Sequence, residues 1–468
     1  MSEPQLRQEM IPLKSKIWVS LGDGACSLLQ GFVAGGALTY AFTKWRGLDP
    51  SLAAVIWIIF GIWNAVNDPL FGFISDRTRS ALGRRKPYIR YGSIVFGSAF
   101  SCCWINFPGS MGNQTVLFIQ MLGLLFLYDT LYTAIATSLY VMPFEMAVSN
   151  KARSGIFIWK IILNVPSMIV PMVLFDLIKP NPGETAAMFQ MVMIGIGIVM
   201  SILIFTSTFF YEEKNFTRQE VQPPFFTALV NCFKNRSFII FEVISFTIIY
   251  VQAGLMQGVF YYFDEIGLSQ IPLFAALGVG VLVGLVVFVG MREKWGVKNS
   301  VRAMALLFSI GCFIVLGFGR LLLPSILGFF CFGVGFSGGM YLIPLMNGDV
   351  VDMDEHRTGL RREGMYAGIN SFITKPAISF ANAVFLWILS AFQYDQTLPK
   401  GMQSPQAETG ILTAWTLVPG ILLFISFVVL HWYPLAGKEW DQIKSRLAKV
   451  HIDKEKKFLA SRGIQYVE

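Results

Sequence analysis

Long apolar stretches recur along the whole chain, each followed by a short polar one. A helix needs roughly 20 apolar residues to cross a bilayer. By that measure there are twelve spans, at roughly 17–43, 51–73, 88–107, 115–142, 155–178, 187–211, 237–263, 270–291, 301–322, 324–346, 364–392 and 410–436. The polar stretch 212–236, "EEKNFTRQEVQPPFFTALVNCFKNR", divides them six and six. The chain therefore reads as an N-terminal six-helix bundle (1–211), a cytoplasmic central loop (212–236), a C-terminal six-helix bundle (237–436) and a basic cytoplasmic tail (437–468). Within the central loop, "PFFTALVNCF" has the pattern of a short amphipathic helix lying on the membrane surface. The N-terminal "MSEPQLRQEMIPLKSK" is polar and lacks a small-residue cleavage site, so the first apolar run is expected to be retained as a helix. The expected fold class is an all-α membrane protein of twelve transmembrane helices in two six-helix bundles.

Composition agrees. The 468 residues are 54% hydrophobic and 14% charged, against about 25% charged in soluble globular proteins. The net charge of +8 would raise the question of nucleic acid in a soluble chain. Here the basic residues gather in alternate loops, "SDRTRSALGRRKPYIR", "MREKWGVKNSVR" and "DEHRTGLRR", while "INFPGSMGNQT" and "FDEIGLSQ" have none. That is the positive-inside pattern; it places both termini in the cytoplasm and predicts no nucleic-acid partner. Nothing resembles an organelle-targeting segment, so the expected location is a prokaryotic cytoplasmic (inner) membrane. Cys26, Cys102, Cys103, Cys232, Cys312 and Cys331 lie in or beside apolar segments without metal-like spacing, and read as packing residues. His356, His431 and His451 are too scattered for a metal site. No nucleophile–base constellation or nucleotide loop is visible, so no enzymatic activity and no cofactor are expected. The expected partners are a small-molecule substrate and membrane lipid, with the chain monomeric.

Charges within the apolar spans carry the functional information. A charged side chain at a helix centre costs about 2.5–3.5 kcal/mol on insertion scales, so it needs a partner or a watery cavity. Asn64, Asn67 and Asp68 share one helix face, and Pro69 frees the carbonyl of Ala65. That face offers oxygen ligands for a small hard cation, or an acid that takes up a proton. Lys375 lies about three turns into its span, too deep for snorkelling, and is expected to pair with a carboxylate. Asn370 and Ser371 precede it. Asp129, Tyr132 and Thr133 share a face of the fourth span; Asp129 reads equally as a site residue or a helix–helix tie. Lys160 and Trp159 read as substrate contacts, with snorkelling of Lys160 an equal alternative. Asp23 is expected to gate or cap its helix, and Glu242 to be structural.

Two longer signatures carry a resemblance. "NDPLFGFISDRTRSALGRRKPYI" and "NGDVVDMDEHRTGLRREGMYAGINSFITKPAIS" resemble those of the glycoside–pentoside–hexuronide:cation symporters, the melibiose-permease-like branch of the major facilitator superfamily. "GDG" in the first span and "PFEM…KARS" match more loosely. The resemblance implies two six-helix bundles that rock around a central site, a major facilitator fold. It implies a cation site at Asp68, Asn64 and Thr133, to which the shared helix face adds Asn67, with Ser371 nearby and Lys375 as charge partner. The family has a second acid where this chain has Asn64, which lowers the charge of the site; the coupling ion is left as a proton or a sodium ion at Asp68. Positions that hold sugar in the family match Ser27 and Ala136, where acids are found, and Tyr140, where an aromatic stacks on the sugar. Tyr132, Trp159, Lys160 and Asn370 are further substrate candidates, and a contact from Lys160 would favour an acidic solute. Asp76 and Arg77, with Gly72, Gly83, Arg84 and Arg85, are the expected cytoplasmic gate.

The expected function is secondary active transport: cation-coupled symport of a sugar, glycoside or hexuronide by alternating access. Distant relatives of the family carry lysolipids, so an amphiphile is the alternative substrate. A non-transporting solute receptor on the same scaffold is the alternative of another class.

Overall fold

In the computed structural model the described residues are 10–34, 36–78, 80–107, 109, 112–147, 150–180, 186–213, 232–359 and 363–460. Side chains at Asp68, Gly72, Asp76 and Arg77 lie outside the described set, as does most of the central loop with its expected surface helix. The described chain is helical throughout: α1 (Leu13–Ala34), α2 (Pro50–Arg77), α3 (Lys86–Trp104), α4 (Gln114–Met146), α5 (Asn150–Ile178), α6 (Ala187–Ser207) and α7 (Arg236–Ile266). The stretch Gln270–Phe318 is parted at Gly296 into α8 (270–295) and α9 (297–318). Next come α10 (Leu322–Thr358), α11 (Glu363–Ala391), α12 (405–429) and α13 (Lys438–Ala460).

Among the described residues, nine helical stretches are long and apolar enough to cross a membrane. One of them is Gln270–Phe318, which turns back at Gly296 (φ 76°, ψ 169°), a conformation that only glycine adopts readily. Its two arms, together with α3 and α5, complete the expected twelve spans. Local signals set the ends. Asn113 and Asn235 cap α4 and α7 by accepting from Val116 N and Ser237 N. Left-handed Gly267 and Gly359 close α7 and α10. The first span differs from expectation: α1 ends at Ala34, and the chain continues through Ala37–Tyr40 and a widened turn at Ala41–Trp45.

The chain forms two compact units. One comprises 1–42, 66–220 and 448–468. In it α1 packs on α5 and α6, and α3 on α4 and α6. Close approach rests on small residues: a Cβ at Gly24 would lie 2.7 Å from the Leu163 carbonyl. Phe32, Phe100, Trp104, Phe175 and Phe189 interlock edge to face in its core.

The other unit comprises 43–65 and 221–447, so it includes the α1–α2 connection and the first half of α2. Here α8 and α9 pack on α10, and α7 on α11 and α12. Trp415 fills the space beside Gly258, and its indole N–H donates to Leu255 O at 2.9 Å. A Cβ at Gly61 on α2 would lie 2.8 Å from Ser379 Cβ on α11.

Candidate functional site

The polar residues of the first unit form two clusters. In the first, Asn67 on α2 turns its amide to α4, donating to Asp129 Oδ2 at 2.9 Å, Asp129 O at 3.2 Å and Thr133 Oγ1 at 3.1 Å. All three residues are buried. Asp129 therefore ties α4 to α2 through Asn67, and Thr133 stands at that junction. Tyr132 stacks on Tyr128, with ring centroids 6.4 Å apart. The Asp68 side chain lies outside the described residues, so neither it nor a sodium ion beside it can be placed. Asn64 is buried in the second unit, and its Oδ1 has no hydrogen-bond partner among the described residues.

The second cluster joins α1 to α5. Lys160 Nζ lies 3.0 Å from Asp23 Oδ1 and donates to Leu139 O at 3.1 Å. Asn164 Nδ2 donates to Asp23 Oδ2 at 2.7 Å. Two expectations are corrected here. Lys160 does not snorkel, because its ammonium turns inward to a carboxylate. Asp23 does not cap a helix, because it sits mid-way along α1. The Asp23 side chain keeps 18% of its surface exposed and the Lys160 side chain 10%. Ser27 lies one turn beyond Asp23, half-buried, and Trp159 is half-buried beside Lys160. Tyr140 is 64% exposed.

In the second unit, Asn370 meets Ser245 of α7 at 2.8 Å. Ser371 and Lys375 are half-buried on α11, before Pro376. Lys375 is engaged by a neighbouring group.

The expected cytoplasmic gate looks different in detail. Gly83 is left-handed (φ 106°) and brings the next backbone N–H groups onto the Glu213 carboxylate. Arg84 N donates at 3.0 Å, Arg85 N at 3.0 Å and Lys86 N at 3.2 Å. Glu213 thus caps α3 as an anion at a helix N-terminus. The Arg84 guanidinium pairs with Glu145 at 2.9 Å, and Lys86 Nζ donates to Tyr211 O at 2.8 Å. These basic residues are anchored inside their own unit, by Glu213 and Glu145, which sequence reasoning did not single out. Asp76, Arg77 and Gly72 lie outside the described side chains. Gly83→Ala is expected to destabilise the protein by about 1–3 kcal/mol, because it forces a left-handed alanine against the Glu213 carboxylate. Thermal unfolding in detergent checks this, with Gly109→Ala, an open left-handed site, as the control.

A further site was missed from sequence. Lys44, in the α1–α2 connection, pairs with Glu265 at the end of α7 at 2.9 Å, with side-chain exposures of 1% and 0%. The Tyr394 hydroxyl lies 3.1 Å from Lys44 Nζ and donates to Glu265 Oε1 at 3.2 Å. Gly401 N donates to Glu265 Oε2 at 2.9 Å. Thr43 and Tyr261 share a hydrogen bond of 2.7 Å, as do Ser51 and Ser390. Burial, then the Glu265 charge, push the Tyr394 phenol well above its ordinary range, so it serves as a neutral donor.

A family model described as "MFS/sugar transport protein" matches residues 22–437. The chain is 23% identical to the glucuronide carrier protein homolog of Escherichia coli over 96% of its own length and 97% of that protein's. It is 25% identical to the isoprimeverose transporter of Lactiplantibacillus pentosus, covering 92% and 90%. A solved D-xylose–proton symporter superposes with a TM-score of 0.63 at 14% identity, covering 90% of this chain and 97% of that one. That likeness is one of fold.

Proposed function

The chain belongs to the MFS sugar transport proteins, and from that premise we propose that it is a cation-coupled symporter carrying a sugar, glycoside or hexuronide by alternating access. The observation that carries this reading is the set of buried, mutually satisfied polar clusters inside apolar helices. Ionisable groups inside a membrane bundle are costly, and by default they point to a solute or ion path.

Asp23, Lys160 and Asn164 are the proposed substrate contact. A carboxylate accepts sugar hydroxyls, and an ammonium and amide donate to them. Because Asp23 already neutralises Lys160, the pair matches a neutral polyol better than a uronate. Ser27, Tyr132, Trp159 and Tyr140 are proposed to line the same solute path, Tyr140 stacking on the sugar face.

Asp68 is the proposed coupling acid, with Asn64, Asn67, Thr133 and Ser371 as the other coupling candidates and Lys375 as the charge partner. A proton or a sodium ion there lowers the charge that must be enclosed when the carrier closes. The membrane is proposed to be the inner one, with both termini cytoplasmic. Residues 1–211 and 237–436 are the proposed moving halves, linked by 212–236.

Asp68→Asn tests the coupling. In proteoliposomes the variant is expected to equilibrate isoprimeverose, the sugar named for the L. pentosus relative, but no longer to concentrate it under an ion gradient. Undiminished accumulation would remove Asp68 from the coupling role. A carrier that moves only lysolipid would change the substrate class, and binding without counterflow would make the chain a receptor.

A further inference from the structure

Beside the Gly296 turn, the second unit holds a cavity of about 600 Å³. Its walls are the α8–α9 turn, Leu345 and Asp349 of α10, and the segment 435–444 that leads into α13. Five basic side chains and three acidic ones line it, so its walls carry a net positive charge.

The partners of these charges decide what the cavity can take. Lys444 pairs with Asp349, which pins the start of α13 to α10. Lys298 donates to the carbonyls of His431 and Tyr433 at 2.8 and 2.7 Å, so neutral groups hold it and its charge is not cancelled. Arg292 stands 4.0 Å from Glu293, at the limit of an ion pair. Lys294 and Lys438 form no ion pair among the described residues, and neither does Asp441. Trp440 also lines the cavity and is buried. Its indole N–H faces Asp349 without completing a hydrogen bond, which leaves a donor for a ligand oxygen. The cavity thus offers positive charge and N–H donors to an oxyanion.

Its surroundings narrow the choice of anion. Leu282, Val286 and Val289 recur along one face of α8 with their side chains exposed, and the next turn of that face brings Glu293 to the cavity. An exposed apolar strip on a membrane-spanning helix is a surface for acyl chains. Trp295, 61% exposed, stands where the strip meets the cavity, the level at which tryptophan marks a membrane–water interface. Chains on the strip would carry a head group to the basic walls.

We propose that this cavity binds the phosphate of an anionic phospholipid from the leaflet on its own side of the membrane. Arg292, Lys294 and Lys438 surround the phosphodiester, and the acyl chains lie along α8. Basic pockets between helices bind anionic head groups in this way. A zwitterionic lipid brings its own ammonium, which the excess of basic side chains disfavours. The site lies wholly within the second unit and does not depend on the symport reading.

Native mass spectrometry tests this on the full-length protein, delipidated in detergent. It is titrated with phosphatidylglycerol, or with phosphatidylethanolamine of the same chains. The wild type is expected to retain phosphatidylglycerol more tightly. Lys294→Gln/Lys438→Gln should weaken that retention roughly 10- to 30-fold. Arg446→Gln/Lys449→Gln removes as much charge from exposed positions of α13 outside the cavity, and should leave it unchanged. Glu293→Gln is expected to tighten retention by freeing Arg292, a gain that misfolding cannot produce. Equal retention of the two lipids would overturn the proposal, as would equal losses in the two double variants. Inorganic phosphate that displaces phosphatidylglycerol at millimolar concentration would overturn the lipid assignment in favour of a soluble phosphate. If the lysine double variant does not fold, Lys438→Gln and Glu293→Gln decide: retention unmoved in both would overturn the proposal.

Discussion

Lys44→Met is expected to be the most destabilising single substitution outside the apolar core. It strands the Glu265 carboxylate, which has no exposed side-chain surface, with only Tyr394 and Gly401 N as donors. Removing one partner of a buried ion pair costs about 3–5 kcal/mol, because the other charge is left without compensation. Thermal unfolding in detergent should show a drop of several degrees. Lys44→Met/Glu265→Gln is expected to recover much of it, since an uncharged pair leaves no stranded charge. Equal losses in the single and double variants would mean that packing, and not charge, holds this site. The contact also bears on transport. Lys44 belongs to the N-terminal half of the sequence and Glu265 to the C-terminal half, yet they share one compact unit. If the proposed halves rock, this contact opens once per cycle. Lys44→Met should therefore shift the resting equilibrium, read as faster labelling of a cysteine placed at Thr43.

The second large effect concerns Lys160. Lys160→Met removes a donor from the proposed sugar contact and leaves Asp23 held only by Asn164. A hydrogen bond to a charged group contributes about 1.5–3 kcal/mol, so substrate affinity should fall roughly 10- to 100-fold. Lys160→Arg is expected to lose less. Asp23→Asn should weaken a neutral glycoside and improve a methyl glucuronide, because it frees Lys160 for the substrate's own carboxylate. Isothermal titration with both solutes reads this directly. A glucuronide weakened as much as the neutral sugar would show that the Asp23–Lys160 pair braces α1 on α5 without touching the solute.

The span pattern was legible because a membrane helix is written in consecutive residues: a run of about 20 apolar positions between polar ones needs no long-range information. Asn67 was marked by its helix face and Thr133 by family resemblance, and the two side chains share a hydrogen bond of 3.1 Å. Pairings between helices were another matter. Asp23 and Lys160 are distant in sequence, and no periodicity relates side chains on separate helices, so each was read by its distance from its own helix end. That misled for the snorkelling of Lys160 and the capping of Asp23. Glu213 fell inside a stretch read as loop, although it is the acid that caps α3. Lys44 and Glu265 sit at span ends, where charged residues are ordinary, and only their burial against each other sets them apart.

The central claim is that an ion gradient drives a sugar through this protein. The most direct test is accumulation by the reconstituted wild type. Labelled isoprimeverose and methyl glucuronide are each offered under an inward proton gradient, an inward sodium gradient, and neither, with and without an ionophore. The account predicts that one gradient raises at least one sugar above its external concentration and that the ionophore abolishes the excess. Internal sugar that only equilibrates, whichever ion is supplied, would contradict it.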